Sequence, residues 1–265
     1  LMTPKEILTN AELAFKAKDY NKAYNLYQKI IERVPNHKTA KNQLKKLKKI
    51  AQVNPQAYDN QNINIAINAF HNGNYQKAIS LSNDILRKNS NNSFIQNMVG
   101  ISYVNLGTPE NGIPYFETAL VINEDYSEAR ANLGTALLLI GKRDAAINAL
   151  EKALKQDPQN ALAWHSLGNA KTREFAYDEA QYAYEKALEI NPNYLNALNS
   201  LGVLFGKSGK ENQALKIFKR GLALDPEDSY ILTSYGSLLS ELGEIEKAKT
   251  ILTKAIENNP DLSEA

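Results

Sequence analysis

The sequence predicts an all-α solenoid of stacked antiparallel helix pairs, and three periodic signals predict it. Pro158, Pro192, Pro226 and Pro260 follow one another at intervals of 34 residues, each preceded by Asp or Asn: Asp157, Asn191, Asp225 and Asn259. Gly100, Gly134, Gly168, Gly202 and Gly236 keep the same interval. So do Ala146, Ala180, Ala214 and Ala248. A fixed period of this length marks copies of one helix–turn–helix unit, each of which buries its apolar faces against its neighbours.

The prolines set the register. Units 127–160, 161–194, 195–228 and 229–262 follow directly, and stepping backwards adds 59–92 and 93–126. Within unit 127–160 the first helix is predicted from about Ser127 to Ile140, with Leu133, Leu137 and Ile140 on one face. Gly141 ends it, as Gly73, Gly107, Gly209 and Gly243 do in their units. The second helix carries Ala146, Leu150, Ala153 and Leu154 and ends at the Asp or Asn before the proline. Gly134 and Ala146 mark where two helix axes approach closely. A helical Gly costs roughly 1 kcal/mol relative to Ala, and close packing is the expected compensation.

Unit 161–194 reads Trp164, Leu167, Gly168, Lys171, Ala180, Tyr184, Ala187 and Pro192 at its marked positions. Unit 195–228 reads Leu198, Leu201, Gly202, Phe205, Ala214, Phe218, Gly221 and Pro226. This pattern resembles the tetratricopeptide repeat, and it implies a right-handed superhelix that binds proteins or peptides. Lys171 departs from it, since an aromatic is usual there. Two units are weaker. In 59–92 only Ile65, Ala66, Ala78 and Ile85 survive. In 93–126 Gly112 replaces Ala, Glu124 replaces Pro, and Pro114 should kink or delay the second helix by removing a backbone donor.

One more helix pair is predicted over roughly 4–37, with Ala11, Ala23, Tyr27 and Pro35 in phase. Residues 38–52 read as a single amphipathic helix, with Ala40, Leu44, Leu47 and Ala51 on one side and Lys38, Lys41, Lys45, Lys46, Lys48 and Lys49 elsewhere. Val53 and the following NPQAYD should break it. The expected organisation is therefore an N-terminal module at 1–52, a linker at 53–58, and six repeats over 59–265 with the start of a further unit after Leu262. The order of a Thr3-Pro4-Lys5-Glu6 helix pair, a Lys-rich helix, an NPQ linker and regular repeats resembles bacterial proteins whose repeats precede a sulfotransferase, oxygenase or glycosyltransferase domain. That resemblance covers residues 2–110 and implies a recognition arm for a catalytic domain outside this chain. A stand-alone adaptor is the competing expectation.

Composition narrows the function classes. The chain has 265 residues, a net charge of +2 and no cysteine. Without the six lysines of 38–49 the remainder carries −4, so the chain is a mildly acidic array with one basic helix. Those lysines solvate an amphipathic helix and lack interleaved aromatics, which disfavours nucleic acid as a partner. No apolar run reaches a membrane span and no signal-type leader opens the chain, so a cytoplasmic location is expected. His37, His71 and His165 fall in separate units and make no metal-ligand set. Gly202-Val-Leu-Phe-Gly206-Lys207-Ser208 has three residues between its glycines where a phosphate loop needs four, and it sits at a helix–helix turn. No catalytic residue and no cofactor are expected.

The concave groove is where specificity should reside. The positions of each first helix that face it in tetratricopeptide proteins give Asn97, Asn132, His165, Asn169, Arg173, Asn199, Lys207 and Tyr230. A spaced row of asparagines resembles the asparagine ladder of glycosyltransferase superhelices. An amide both donates and accepts, so such a row suits the backbone of an extended peptide. Arg173 and Lys207 are expected to be balanced by Glu128 and Glu241, making peptide affinity insensitive to salt. Self-association through an uncapped C-terminal end, where Leu238, Leu239, Leu242, Ile251 and Ile256 would lie uncovered, is the remaining partner expectation.

Overall fold

The computed structural model describes residues 3–16, 20–34, 37–53 and 55–260, and every regular element among them is an α-helix. The chain divides into two compact units, Leu1–Ser90 and Asn91–Ala265. Repeat 59–92 thus falls almost wholly with the N-terminal helices.

The first unit holds α1 (Pro4–Lys16), α2 (Tyr20–Arg33), α3 (Lys38–Val53), α4 (Pro55–His71) and α5 (Tyr75–Lys88), each packed on the next. A capping box starts α1: the Thr3 amide donates to Glu6 Oε2 at 2.7 Å and the Glu6 amide to Thr3 Oγ1 at 3.3 Å. Ile7, Ala11, Ala23, Tyr27, Ile30, Ala40 and Leu47 form its core. Ala40 and Leu47 are buried while Lys38, Lys41, Lys45 and Lys46 are more open to solvent, as an amphipathic α3 requires. The side chains of Lys48, Lys49 and Ala51 lie outside the described residues, as do Pro35 and 261–265, where a further unit is expected to start. The expected linker at 53–58 is corrected: α3 runs to Val53 and α4 begins at Pro55. A proline at the first helical position lacks only an N–H that would have no partner there, so it starts a helix as readily as it ends one.

The second unit holds five pairs: α6 (Ser93–Asn105) with α7 (Pro109–Ile122), α8 (Ser127–Leu139) with α9 (Arg143–Gln156), α10 (Ala161–Arg173) with α11 (Tyr177–Ile190), α12 (Leu195–Lys207) with α13 (Glu211–Leu224), and α14 (Ser229–Glu241) with α15 (Ile245–Asn258). First helices pack on first helices, α6 on α8, α8 on α10, α10 on α12 and α12 on α14. They therefore line one face, and the second helices lie behind them.

The periodic glycines pack as expected. A Cβ at Gly100, Gly168 or Gly202 would lie 2.5 Å from the ring of Phe116, Tyr184 or Phe218, and one at Gly134 would lie 2.6 Å from Leu150 Cγ. Each glycine therefore admits the large side chain sixteen residues later. The turn glycines Gly73, Gly107, Gly141, Gly209 and Gly243 adopt φ between 67° and 78°. Phe175 holds that position in unit 161–194 with φ of 59°, a conformation costing a non-glycine roughly 1–2 kcal/mol.

The periodic prolines serve as acceptors. The Pro158 carbonyl takes a hydrogen bond from Trp164 Nε1 at 2.9 Å, that of Pro192 one from Arg220, and that of Pro226 one from Lys254 at 2.8 Å. Arg130 and Gln156 donate to the Glu124 carbonyl, where proline is missing, at 2.7 and 3.0 Å. The turn carbonyls left open where second helices end are thereby satisfied.

Two expectations are corrected here. Helix α7 begins at Pro109 and continues through Pro114 to Ile122, and its 14 residues match the length of α9, so Pro114 neither delays nor ends it. Gly112 does not loosen it either: a Cβ there would lie 2.6 Å from the Gly100 carbonyl oxygen, so the two backbones approach closely here. At the C-terminal end Leu238 and Leu239 are buried, against the expectation, while Leu242 and Ile256 are exposed. First helices stack directly on their predecessors, and Leu238 joins the core that α12 and α13 share.

Candidate functional site

Hydrogen bonds between side chains of successive first helices run along the face they line. Asn132 Nδ2 donates to Asn97 Oδ1 at 3.0 Å, linking α8 to α6. Thr135 Oγ1 and Ser166 Oγ lie 2.8 Å apart between α8 and α10. His165 Nε2 and Ser200 Oγ lie 3.0 Å apart between α10 and α12. Arg173 Nη1 reaches back to the Leu138 carbonyl at 2.7 Å. These polar contacts recur about one repeat apart because equivalent positions of adjacent first helices face each other.

Part of the predicted row is consumed by this stitching. Asn97 is only 2% exposed, and its amide also reaches Tyr126 OH at 3.2 Å and Glu128 Oε1 at 3.5 Å. His165 is buried between the rings of Tyr184 and Tyr194, at centroid distances of 5.8 and 5.1 Å. Burial pushes its pKa down to about 4, so the imidazole is neutral at pH 7. Tyr230 is 60% exposed and does not line the cavity described next.

The remaining candidates converge. Asn169, Arg173, Asn199 and Lys207 line one cavity of about 330 Å³ between α8, α10 and α12. Leu138, Leu139 and Val203 supply its apolar wall, and Thr135, Thr172 and Ser200 its hydroxyls. Tyr184 OH donates to Asn169 Oδ1 at 2.8 Å, which fixes the amide and leaves its donor side for another group. Asn199 Oδ1 is buried with no donor among the described residues. No carboxylate lines this cavity, so Arg173 and Lys207 are not balanced within it; Glu128 lies 3.5 Å from the Asn97 amide, and Glu241 is exposed. Thr135, Thr172 and Ser200 escaped sequence reasoning because hydroxyls at these positions carry no periodic signal.

Among the described residues no group of three side chains could hold a metal ion, and no helix is long and apolar enough to cross a membrane.

Family models described as tetratricopeptide repeat match residues 105–170 and 207–265, 159–227, and 11–37, together well over half of the chain. The chain belongs to the tetratricopeptide-repeat proteins. No curated protein matches it. The solved structures similar to this tetratricopeptide-repeat chain share its fold at low identity. One is a tetratricopeptide repeat protein from Parabacteroides merdae, with 15% identity, a TM-score of 0.68, and coverage of 98% of this chain and 94% of that one. Another is PilW, described as a widely conserved type IV pilus biogenesis factor, with 19% identity, a TM-score of 0.66, and coverage of 78% and 96%. A third is a thermophilic protein of the same family from Thermus thermophilus, with 20% identity, a TM-score of 0.59, and coverage of 64% and 93%.

Proposed function

We propose that this chain is a protein-binding scaffold that holds an extended, acidic segment of a partner in the groove of its second unit. The observation that supports this reading is Asn199. Its carbonyl oxygen is buried without a donor beside an open cavity. A buried acceptor left unpaired costs about 1–3 kcal/mol, and a turn of the Asn199 amide toward the cavity would pair it with a peptide N–H. Asn169 offers the complementary amide donor, and Leu138 and Val203 offer contact for a small apolar side chain. Arg173 and Lys207 favour a segment bearing Asp or Glu over a basic one.

The test is a pull-down and titration with extended acidic peptides against the parent protein and an Asn169→Ala/Asn199→Ala variant. The variant should bind roughly ten to a hundred times more weakly, given ~1 kcal/mol per neutral hydrogen bond plus the lost burial. Raising ionic strength should weaken acidic peptides several-fold and neutral ones little. Equal affinity of variant and parent for every peptide would remove the groove from the mechanism.

A further inference from the structure

Lys171 is the position at which unit 161–194 departs from the repeat pattern. Of its counterparts, Leu137, Phe205 and Leu239 are apolar and 9%, 5% and 5% exposed, filling the space between their helix pairs, while Tyr103 is half-buried. Lys171 is more open, its side chain 22% exposed. Its Nζ is drawn outward to Glu179 Oε2 at 3.0 Å and Glu174 Oε2 at 3.4 Å. What remains is a notch of about 460 Å³ between α9, α10 and α11.

The notch is separate from the groove. Trp164, Leu167 and Lys171 recur at i, i+3 and i+7 and occupy the side of α10 opposite Ser166, Asn169 and Arg173. Its floor is apolar and rigid. The indole of Trp164 is pinned through Nε1 to the Pro158 carbonyl at 2.9 Å, and the Tyr182 ring meets it edge-on at 5.8 Å. Tyr182 is nonetheless 55% exposed, and Lys186 Nζ already sits 5.6 Å from its ring centroid, so this ring is used by a cation within the protein itself. The rim is acidic. Glu151, Asp178 and Glu179 line it with Lys171, the nearby Lys186 is paired with Glu189, and neither Glu151 nor Asp178 has an ion-pair partner among the described residues. An apolar floor with surplus carboxylates at its edge fits one kind of occupant: an apolar side chain flanked by an arginine or lysine.

We infer that the Trp164–Tyr182 notch is a second protein-binding surface, on the face opposite the groove, that takes a basic, apolar-anchored segment of a partner protein. The apolar side chain enters the space that Leu, Phe or Leu fills in the sister repeats. The neighbouring cation lies against Glu151 and Asp178. The two faces would then recognise segments of opposite charge.

Trp164 is the single tryptophan of the chain, so its emission reports on the notch directly. The probe is a synthetic peptide, acetyl-Gly-Ile-Arg-Ile-Gly-amide, titrated into the full chain. We expect a saturable change in Trp164 emission below about millimolar peptide, and about tenfold weaker binding of the analogue with citrulline for arginine. Lys171→Phe restores the filling seen at Phe205; it should keep or raise the melting temperature and abolish the response. Should Lys171→Phe fold poorly, the surface pair Glu151→Gln/Asp178→Asn should weaken the arginine peptide to the level of the citrulline one. Asn199→Ala, which tests the groove, should leave the response unchanged. The inference is overturned by no saturable response, by equal affinity for the two peptides, by unaltered binding to a folded Lys171→Phe, or by an emission change driven by protein concentration alone, which would mean that a second copy fills the notch.

Discussion

Individual side chains show how a repeat protein uses its polar groups. His165 reads as a groove candidate in the sequence, yet it is enclosed by Tyr184, Tyr194 and Ser200 and held neutral. Its pKa, lowered from the ordinary 6.5 to about 4, has a definite consequence. Between those values the unfolded chain takes up a proton that the folded chain refuses, so stability falls as pH drops through that window and is unaffected by this group above it. The effect is on the order of 3 kcal/mol when complete. Thermal melts of the parent from pH 7 to pH 4 should show this loss, and His165→Gln should flatten the curve. An identical pH profile for both proteins would place the acid sensitivity elsewhere.

At the scale of the helix pair, small residues decide how closely two axes approach, and the neighbouring atom decides what each is worth. A Cβ at Gly134 meets the flexible side chain of Leu150 at 2.6 Å, whereas one at Gly112 meets the Gly100 carbonyl oxygen at 2.6 Å. A leucine can change rotamer, but a helical carbonyl moves only with its helix. Gly112→Ala should therefore destabilise the protein by about 2–3 kcal/mol, and Gly134→Ala by less, with its helix propensity gain offsetting part of the strain. Urea denaturation of the two variants compares them directly. The same contact explains why α7 tolerates Pro114: the Gly100–Gly112 crossing and the burial of Phe116 hold this helix against its partner.

For the whole chain, the division into Leu1–Ser90 and Asn91–Ala265 has an energetic basis. The core formed by Ala180, Tyr184, Leu198 and Phe218, and the one formed by Ala131, Leu150 and Ala163, draw only on the second unit. The core around Tyr27 draws only on the first. Solenoid stability is approximately a sum of repeat and nearest-neighbour terms, so residues 91–265 should fold alone. Circular dichroism of that fragment should show a helical spectrum and a cooperative melt. A fragment that is unfolded at 25 °C would mean that the first unit is required.

The architecture was legible from Pro158 to Pro260 and from Gly100 to Gly236, because every copy of a repeat must solve the same packing problem with the same small and large residues. The turn glycines, the Gly100–Phe116 type of pairing and the amphipathic α3 followed from local rules of periodicity and backbone conformation. The fate of the groove residues did not. Asn97, Asn132, Asn169 and Asn199 are alike in side chain and all lie on first helices, but only the fold decides which amides meet a neighbour one repeat away and which face open space. Asn97 is used internally, and the Asn199 carbonyl is left without a donor, because helix stacking brings Asn132 and Tyr126 to the first and no donor among the described residues to the second. The notch beside Lys171 likewise appears only in three dimensions. A one-residue departure from the repeat pattern was visible in the chain, but the volume it leaves depends on where Glu174 and Glu179 draw the ammonium group.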